Sequence, residues 1–369
     1  MNPDTPRGRF LAAFNPASPA GPLLAPLDLG GPMGSLPYDL HQAVRSELSL
    51  PEAPVVFSDD PLMARLGLAD LEDDILERLG ADTRWAPFEP PPTIVSERGG
   101  TLSLVDEWGA GYRRGAADPF FRHAFAPLEK ATGHSDLKNH PWPKLDGSYD
   151  DRWGLAAERA AQRGSYALCL HLKGVLEVAQ DLRGAARVQA ELAGGSQFLG
   201  AVLDRVAEAQ LMAYGRLVTV LGGSLDAVVL TCDGLAAEHR LSVFSTSPGR
   251  LFPAQALVLE CLSSLGLGPV AVFGRGEEFL PAAHDLGADA LIASGGSGPG
   301  GHKLWWTGPE SFNEIEPEEA WRAAALWARE LPPVRLILAP WLSAAKEGST
   351  AVGAVAAALA LGRARRGGM

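Results

Sequence analysis

Cys169 and His171 stand two residues apart in the apolar run Tyr166–Leu172, and they carry the first chemistry legible in this chain. A strand there puts both side chains on one face, with His171 nearer the C-terminal end. The pair could supply half of a metal site or be a core cysteine beside a polar histidine, and two ligands do not fill a tetrahedral zinc site. Asp28 and Asp233 each close another apolar run, where a carboxylate must face an open end or be neutralised. Each could serve as a general acid or base, with His171 as partner, or could cap the loop or helix that follows. Arg250, after Ser247-Pro248, carries the planar fork that fits a carboxylate or phosphate. Glu107 and Trp108 fall in a predicted hairpin, an acid beside an aromatic that could line an entrance or simply pack. The glycines of Ser294–Gly301 would let backbone amides approach a phosphate, with His302 and Lys303 adjacent, although the string has no P-loop or dinucleotide form and also reads as a plain loop.

Strand-length apolar runs position these residues, at Leu23–Leu29, Tyr166–Leu172, Ala227–Cys232, Val270–Phe273, Ala290–Ala293, Lys303–Trp306 and Arg335–Ala339. Helical patterns separate most of them. Leu71, Ile75, Leu76 and Leu79 form one apolar face that Gly80 ends, and Glu316, Pro317, Glu318 and Glu319 open a helix running through Trp321 to Leu331. Arg183, after the helix start at Glu177, is placed to clamp that helix to its neighbour. With Pro54–Phe57 as an eighth run or part of an N-terminal elaboration, this β/α alternation favours an α/β fold, a (β/α)8 TIM barrel, with a doubly wound sheet as the alternative. In a barrel, function sits where strands end, which nominates Asp28, His171, Asp233, Arg275, Ser294, Thr307 and Trp341. More than a hundred residues between the first run and Tyr166 exceed one crossover, so about 85–150 is expected to form a cap or lid over the mouth. Residues 1–20 read as a flexible lead, 21–362 as one barrel domain and 363–369 as a flexible tail.

Forty-four acids against 32 bases leave a net charge of -12, which opposes attraction to nucleic acid or an anionic membrane. Three cysteines, Cys169, Cys232 and Cys261, are too few and scattered for a disulfide framework. Pro16, Pro19, Pro22 and Pro26 interrupt the longest uncharged stretch, which rules it out as a regular spanning helix. The expectation is a cytoplasmic protein acting on a small molecule, with no nucleic-acid or membrane partner.

Several strings, in order, resemble the uroporphyrinogen decarboxylase superfamily, and most closely its corrinoid-linked methyltransferase-like branch. They are Pro26–Gly31, Asp74–Arg84, Val105-Asp-Glu-Trp-Gly109, Pro141-Trp-Pro143, Gly174-Val-Leu-Glu177, Leu182-Arg-Gly184, Thr231-Cys-Asp-Gly-Leu235 and Ser247-Pro-Gly-Arg250. The resemblance implies a (β/α)8 barrel and either methyl transfer or decarboxylation, with a corrinoid such as methylcobalamin as substrate or carried on a partner protein. It also implies a zinc-binding His-x-Cys-Gly string, but the chain reads Phe273-Gly-Arg-Gly276 there, and no ligand occurs around Ala339-Pro-Trp341. Methyl transfer would then use a non-thiol acceptor or another activating group. The decarboxylase branch's arginine-rich string is absent, and Phe57-Ser-Asp59 sits too early to be its aspartate string. The expected function is methyl transfer from a methylated small molecule or corrinoid, with His171, Asp233 and Asp28 as catalytic groups and Arg250, Arg275 and Trp341 against substrate. The alternatives are a porphyrin-type decarboxylase and a catalytically silent tetrapyrrole- or corrinoid-binding barrel.

Overall fold

The computed structural model describes residues 5–15, 17, 26–29, 36–37, 41–54, 68–69, 71–86, 93–98, 101–115, 121–144, 149, 151, 153–154, 158, 166–231, 248–265, 270–273, 289–292, 304–307 and 336–338. In chain order the elements are α1 (Pro6–Phe14), β1 (Leu36–Pro37), α2 (His41–Glu47), β2 (Leu68–Ala69), α3 (Asp73–Leu79), β3 (Thr83–Ala86), β4 (Thr93–Arg98), β5 (Thr101–Val105), β6 (Gly111–Arg114), β7 (Arg122–Phe125) and α4 (His134–Asn139). There follow β8 (Ala167–Leu172), α5 (Val175–Arg183), α6 (Ala185–Gly194), α7 (Gln197–Leu221), β9 (Ala227–Thr231), α8 (Pro248–Ser264), β10 (Val270–Phe273), β11 (Ala290–Ile292), β12 (Leu304–Thr307) and β13 (Leu336–Leu338). The main sheet runs β13-β12-β11-β10-β9-β8-β3, which is chain order. The pairs β9/β10, β11/β12 and β12/β13 are parallel, and α8 lies in the connection from β9 to β10, so the fold is mixed α/β with a parallel sheet. Six of the seven expected strands appear within a residue or two. Of Leu23–Leu29 only 26–29 are described, and Leu27 forms a bridge there. The helix expected at 316–331 and the loop at 294–301 lie outside the described residues, as do 55–57 of the Pro54–Phe57 run.

By contacts the chain divides into two compact units: residues 1–86, 162–169 and 289–369 in one, and 87–161 and 170–288 in the other. In the first, the stretch expected as a flexible lead instead contains α1. The Thr5 hydroxyl accepts from the Gly8 amide, Pro6 opens the helix with its φ already set, and Phe10 is fully buried. Helix α1 packs against both β3 and β13. Buried Asp82 ties the layers, because its carboxylate accepts from Arg9 Nη2 at 2.6 Å and from the Leu27 amide at 2.7 Å. Its backbone N–H donates to Leu27 O and its carbonyl accepts from Ala167 N. Helix α3 buries Ile75, Leu76 and Leu79 and ends at Gly80, whose φ of 78° satisfies the last carbonyls from the left-handed region.

In the second unit, β4-β5-β6-β7 form an antiparallel sheet whose small core comprises Leu104, Ala110, Tyr112 and Phe121. The long α7 packs against α5, α6 and α8. Every residue of α5 is buried, including Glu177, Gln180, Asp181 and Arg183. Burying that much polarity requires partners. Arg183 donates to the carbonyls of Leu128 and Ala131, pairs with Glu191 on α6 and stacks over Phe198, so it clamps α5 to its neighbours as expected.

Candidate functional site

The expected hairpin at Glu107 and Trp108 is the β5–β6 turn, and Asp106 organises it. One oxygen of the Asp106 carboxylate accepts from the amides of Trp108 (3.0 Å) and Ala110 (2.9 Å), and the other from Tyr112 Oη at 3.0 Å. Gly109 takes φ 79°, which lets its amide reach the Asp106 carbonyl at 3.0 Å. The turn therefore presents Glu107 and Trp108 rigidly.

Lys173 meets it from the C-terminal end of β8. Its Nζ lies 3.5 Å from Asp106 Oδ2, and both side chains are almost wholly buried. The Lys173 carbonyl accepts from Gln210 Nε2 of α7 at 2.7 Å, which fixes the loop to that helix. One residue on, Gly174 caps α5, whose first amide donates to Gln255 Oε1 of α8 at 3.3 Å. A chain leaving a parallel strand for a helix is thus held on both sides.

These elements enclose a cavity of about 20 Å³. The turn contributes Glu107 and Trp108, the segment after β8 contributes Lys173, and α7 contributes Gln210, Met212 and Tyr214. Trp108 and Gln210 are each 4% exposed, and Trp108 Nε1 and Gln210 Oε1 have no hydrogen-bond partner among the described residues. Beside it, the rings of His140 and Trp142 meet edge to face at 4.8 Å, and Trp142 meets Trp108 at 6.4 Å. Burial pushes the His140 imidazole below its ordinary pKa, against a smaller opposing contribution from a backbone hydrogen bond with Trp108. The cavity thus lies between the segment that follows the C-terminal end of β8 and residues of the 85–150 stretch, and a small concave space with convergent polar groups is a candidate binding site.

No protein-family model matches the chain, and no curated protein matches it. A solved structure does. It is a methyltransferase from Methanosarcina mazei. The two chains are 16% identical with a TM-score of 0.58, and the likeness covers 96% of this chain and 98% of that one. This chain therefore shares that structure's fold, and at this identity the likeness is one of fold alone.

His171 is 3% exposed and, by strand alternation, shares the face of Cys169 on β8, as the spacing predicts. It is not among the described residues lining the cavity. Asp28 accepts from Thr83 Oγ1 at 2.5 Å and Trp85 Nε1 at 2.8 Å, so side chains of β3 hold its carboxylate. The backbone of Arg250 lies in α8 while its side chain is outside the described residues, as are Asp233, Arg275, Ser294 and Trp341 altogether. Sequence reasoning passed over Asp106, Lys173 and Gln210. The signal for Asp106 was the string Val105-Asp-Glu-Trp-Gly109 itself, in which an aspartate two and four residues before amides of a tight turn is its natural acceptor. Among the described residues, no three His, Cys, Asp or Glu side chains are grouped to hold a metal, and no helix is long and apolar enough to cross a membrane.

Proposed function

We propose that this chain is a methyltransferase of the uroporphyrinogen decarboxylase superfamily, built on a closed (β/α)8 barrel, that moves a methyl group from a methylated small molecule or corrinoid. The observation carrying this reading is the likeness of fold to a methyltransferase over nearly the full length of both chains. The ordered sequence strings add the superfamily. Packing of α1 against both β3 and β13, the two ends of the strand order, supports closure of the sheet.

In this reading the cavity beneath the β5–β6 turn is the inner end of the substrate site. A corrinoid is far larger than a space of about 20 Å³ and enters as substrate, presenting its methyl group from outside. His171, Asp233 and Asp28 are proposed for proton handling, and Arg250, Arg275 and Trp341 for contact with substrate. The chain's own departures from the zinc-ligand string, at Phe273 and Arg275, favour an acceptor other than a zinc-bound thiol.

The test incubates the full chain with methylcobalamin and a panel of small nucleophiles, following demethylation by absorbance and the acceptor by mass. Protein-dependent transfer, lost in His171→Ala and Asp233→Asn variants whose circular dichroism is unchanged, is the expected result. Binding of cobalamin without turnover would favour the silent reading instead, and release of CO2 from a porphyrinogen the decarboxylase reading.

A further inference from the structure

The cavity of about 20 Å³ has room for roughly one small polar group. Two side chains on its wall hold unspent hydrogen-bonding capacity of opposite kinds. Trp108 Nε1 can only donate and Gln210 Oε1 can only accept, and each is buried without a hydrogen-bond partner among the described residues. An unmet donor and an unmet acceptor are both costly in a protein interior, so a ligand group that both accepts and donates would relieve the two together.

Charge narrows the class. The Lys173 ammonium on the wall already faces the Asp106 carboxylate at 3.5 Å. An incoming anion would meet Glu107, and an incoming cation would meet Lys173. A neutral hydroxyl fits where either ion is opposed. The rest of the wall is mostly apolar, with Ala209, Ala213, Pro143 and Met212 beside the rings of Tyr149 and Tyr214, and Met212 is itself 52% exposed. A short aliphatic tail would pack against that thioether.

We propose that this cavity is a binding site for the hydroxyl group of a short neutral alcohol, the oxygen accepting from Trp108 Nε1–H and the hydroxyl proton donated to Gln210 Oε1. The proposal rests on the reading of this cavity as the inner end of the substrate site. Water offers the same two hydrogen bonds, and the tail along Met212 is what an alcohol adds.

The test labels the nine tryptophan indoles of the full chain with nitrogen-15 and titrates with 1-propanol, using acetate and methylammonium at matched ionic strength as charged controls. The Trp108 signal is assigned by its loss in Trp108→Phe, or by its disturbance in Gln210→Met if the first variant does not fold. The expected result is a saturable shift of the Trp108 signal with 1-propanol alone, weakened about fivefold or more in Gln210→Met. A shift that never saturates, one shared equally by all nine signals, or a saturable response to acetate or methylammonium in its place would overturn the proposal. Methyl transfer without alcohol binding would remove the cavity assignment alone, whereas alcohol binding without methyl transfer would keep the site and remove the enzymatic reading.

Discussion

Asp106 and Lys173 are unequal partners. Asp106 keeps three hydrogen bonds, from Trp108, Ala110 and Tyr112, if Lys173 is replaced, whereas removing the carboxylate takes the acceptor from two buried amides and a buried hydroxyl and the facing charge from Lys173. Asp106→Ala should therefore cost about 3–5 kcal/mol and Lys173→Met clearly less, read from urea midpoints at constant slope. Equal losses would mean that the turn does not depend on its carboxylate. His140 gives the same region a pH dependence. Burial holds its folded pKa below the usual 6.5, so the folded chain keeps it neutral while the unfolded chain takes up a proton as pH falls through 6.5. Its contribution to stability is complete above that value and declines as pH falls toward the lowered folded pKa. Urea midpoints at about pH 7.5 and about pH 5.5 should differ more in the wild type than in His140→Gln, and an unchanged difference would assign the slope to other groups.

Helix α3 shows at element scale why a local signal can be read without the fold. Its apolar face and the glycine that stops it are properties of the segment, and Gly80 takes the φ of 78° that a left-handed cap needs. Gly80→Ala should cost about 1 kcal/mol with no change of fold, seen as a lower thermal midpoint. The parallel strands were legible for a related reason. All six residues of β8 are buried, so both faces of the strand are covered and it appears as a hydrophobic run interrupted only by His171. Strand β3, Thr83-Arg-Trp-Ala86, has two part-exposed residues and no such run, and it passed unnoticed although Asp82 and Thr83 connect three segments. Helix α1 was hidden in the same way, since its short length and its two arginines resemble a loose lead until Arg9 finds Asp82. The candidate site was half legible. The turn with Glu107 and Trp108 is local, but its dependence on Lys173 and Gln210 joins residues far apart in sequence, and no single stretch records such a pairing.

At the scale of the whole chain, α1 packs against both the first and the last strand of the main sheet's order, so its loss should be felt well beyond nine residues. Phe10→Ala should destabilise the protein by about 3–5 kcal/mol, and truncation of residues 1–15 by at least as much, measured by thermal unfolding. A truncated chain as stable as the full one would show that α1 merely rests on the surface. The order of the segments also sets a timetable for synthesis. The unit that contains α1 is assembled from residues 1–86, 162–169 and 289–369, whereas the other is complete by residue 288. On the ribosome residues 1–86 must therefore wait for residues 289–369 to be made, while the later-starting unit already has all of its parts. Phe10, Leu27 and Leu29, fully buried in the finished protein, are then the surfaces exposed longest during translation, and a chaperone that patrols nascent chains should be found on residues 1–86 until the C-terminal strands arrive.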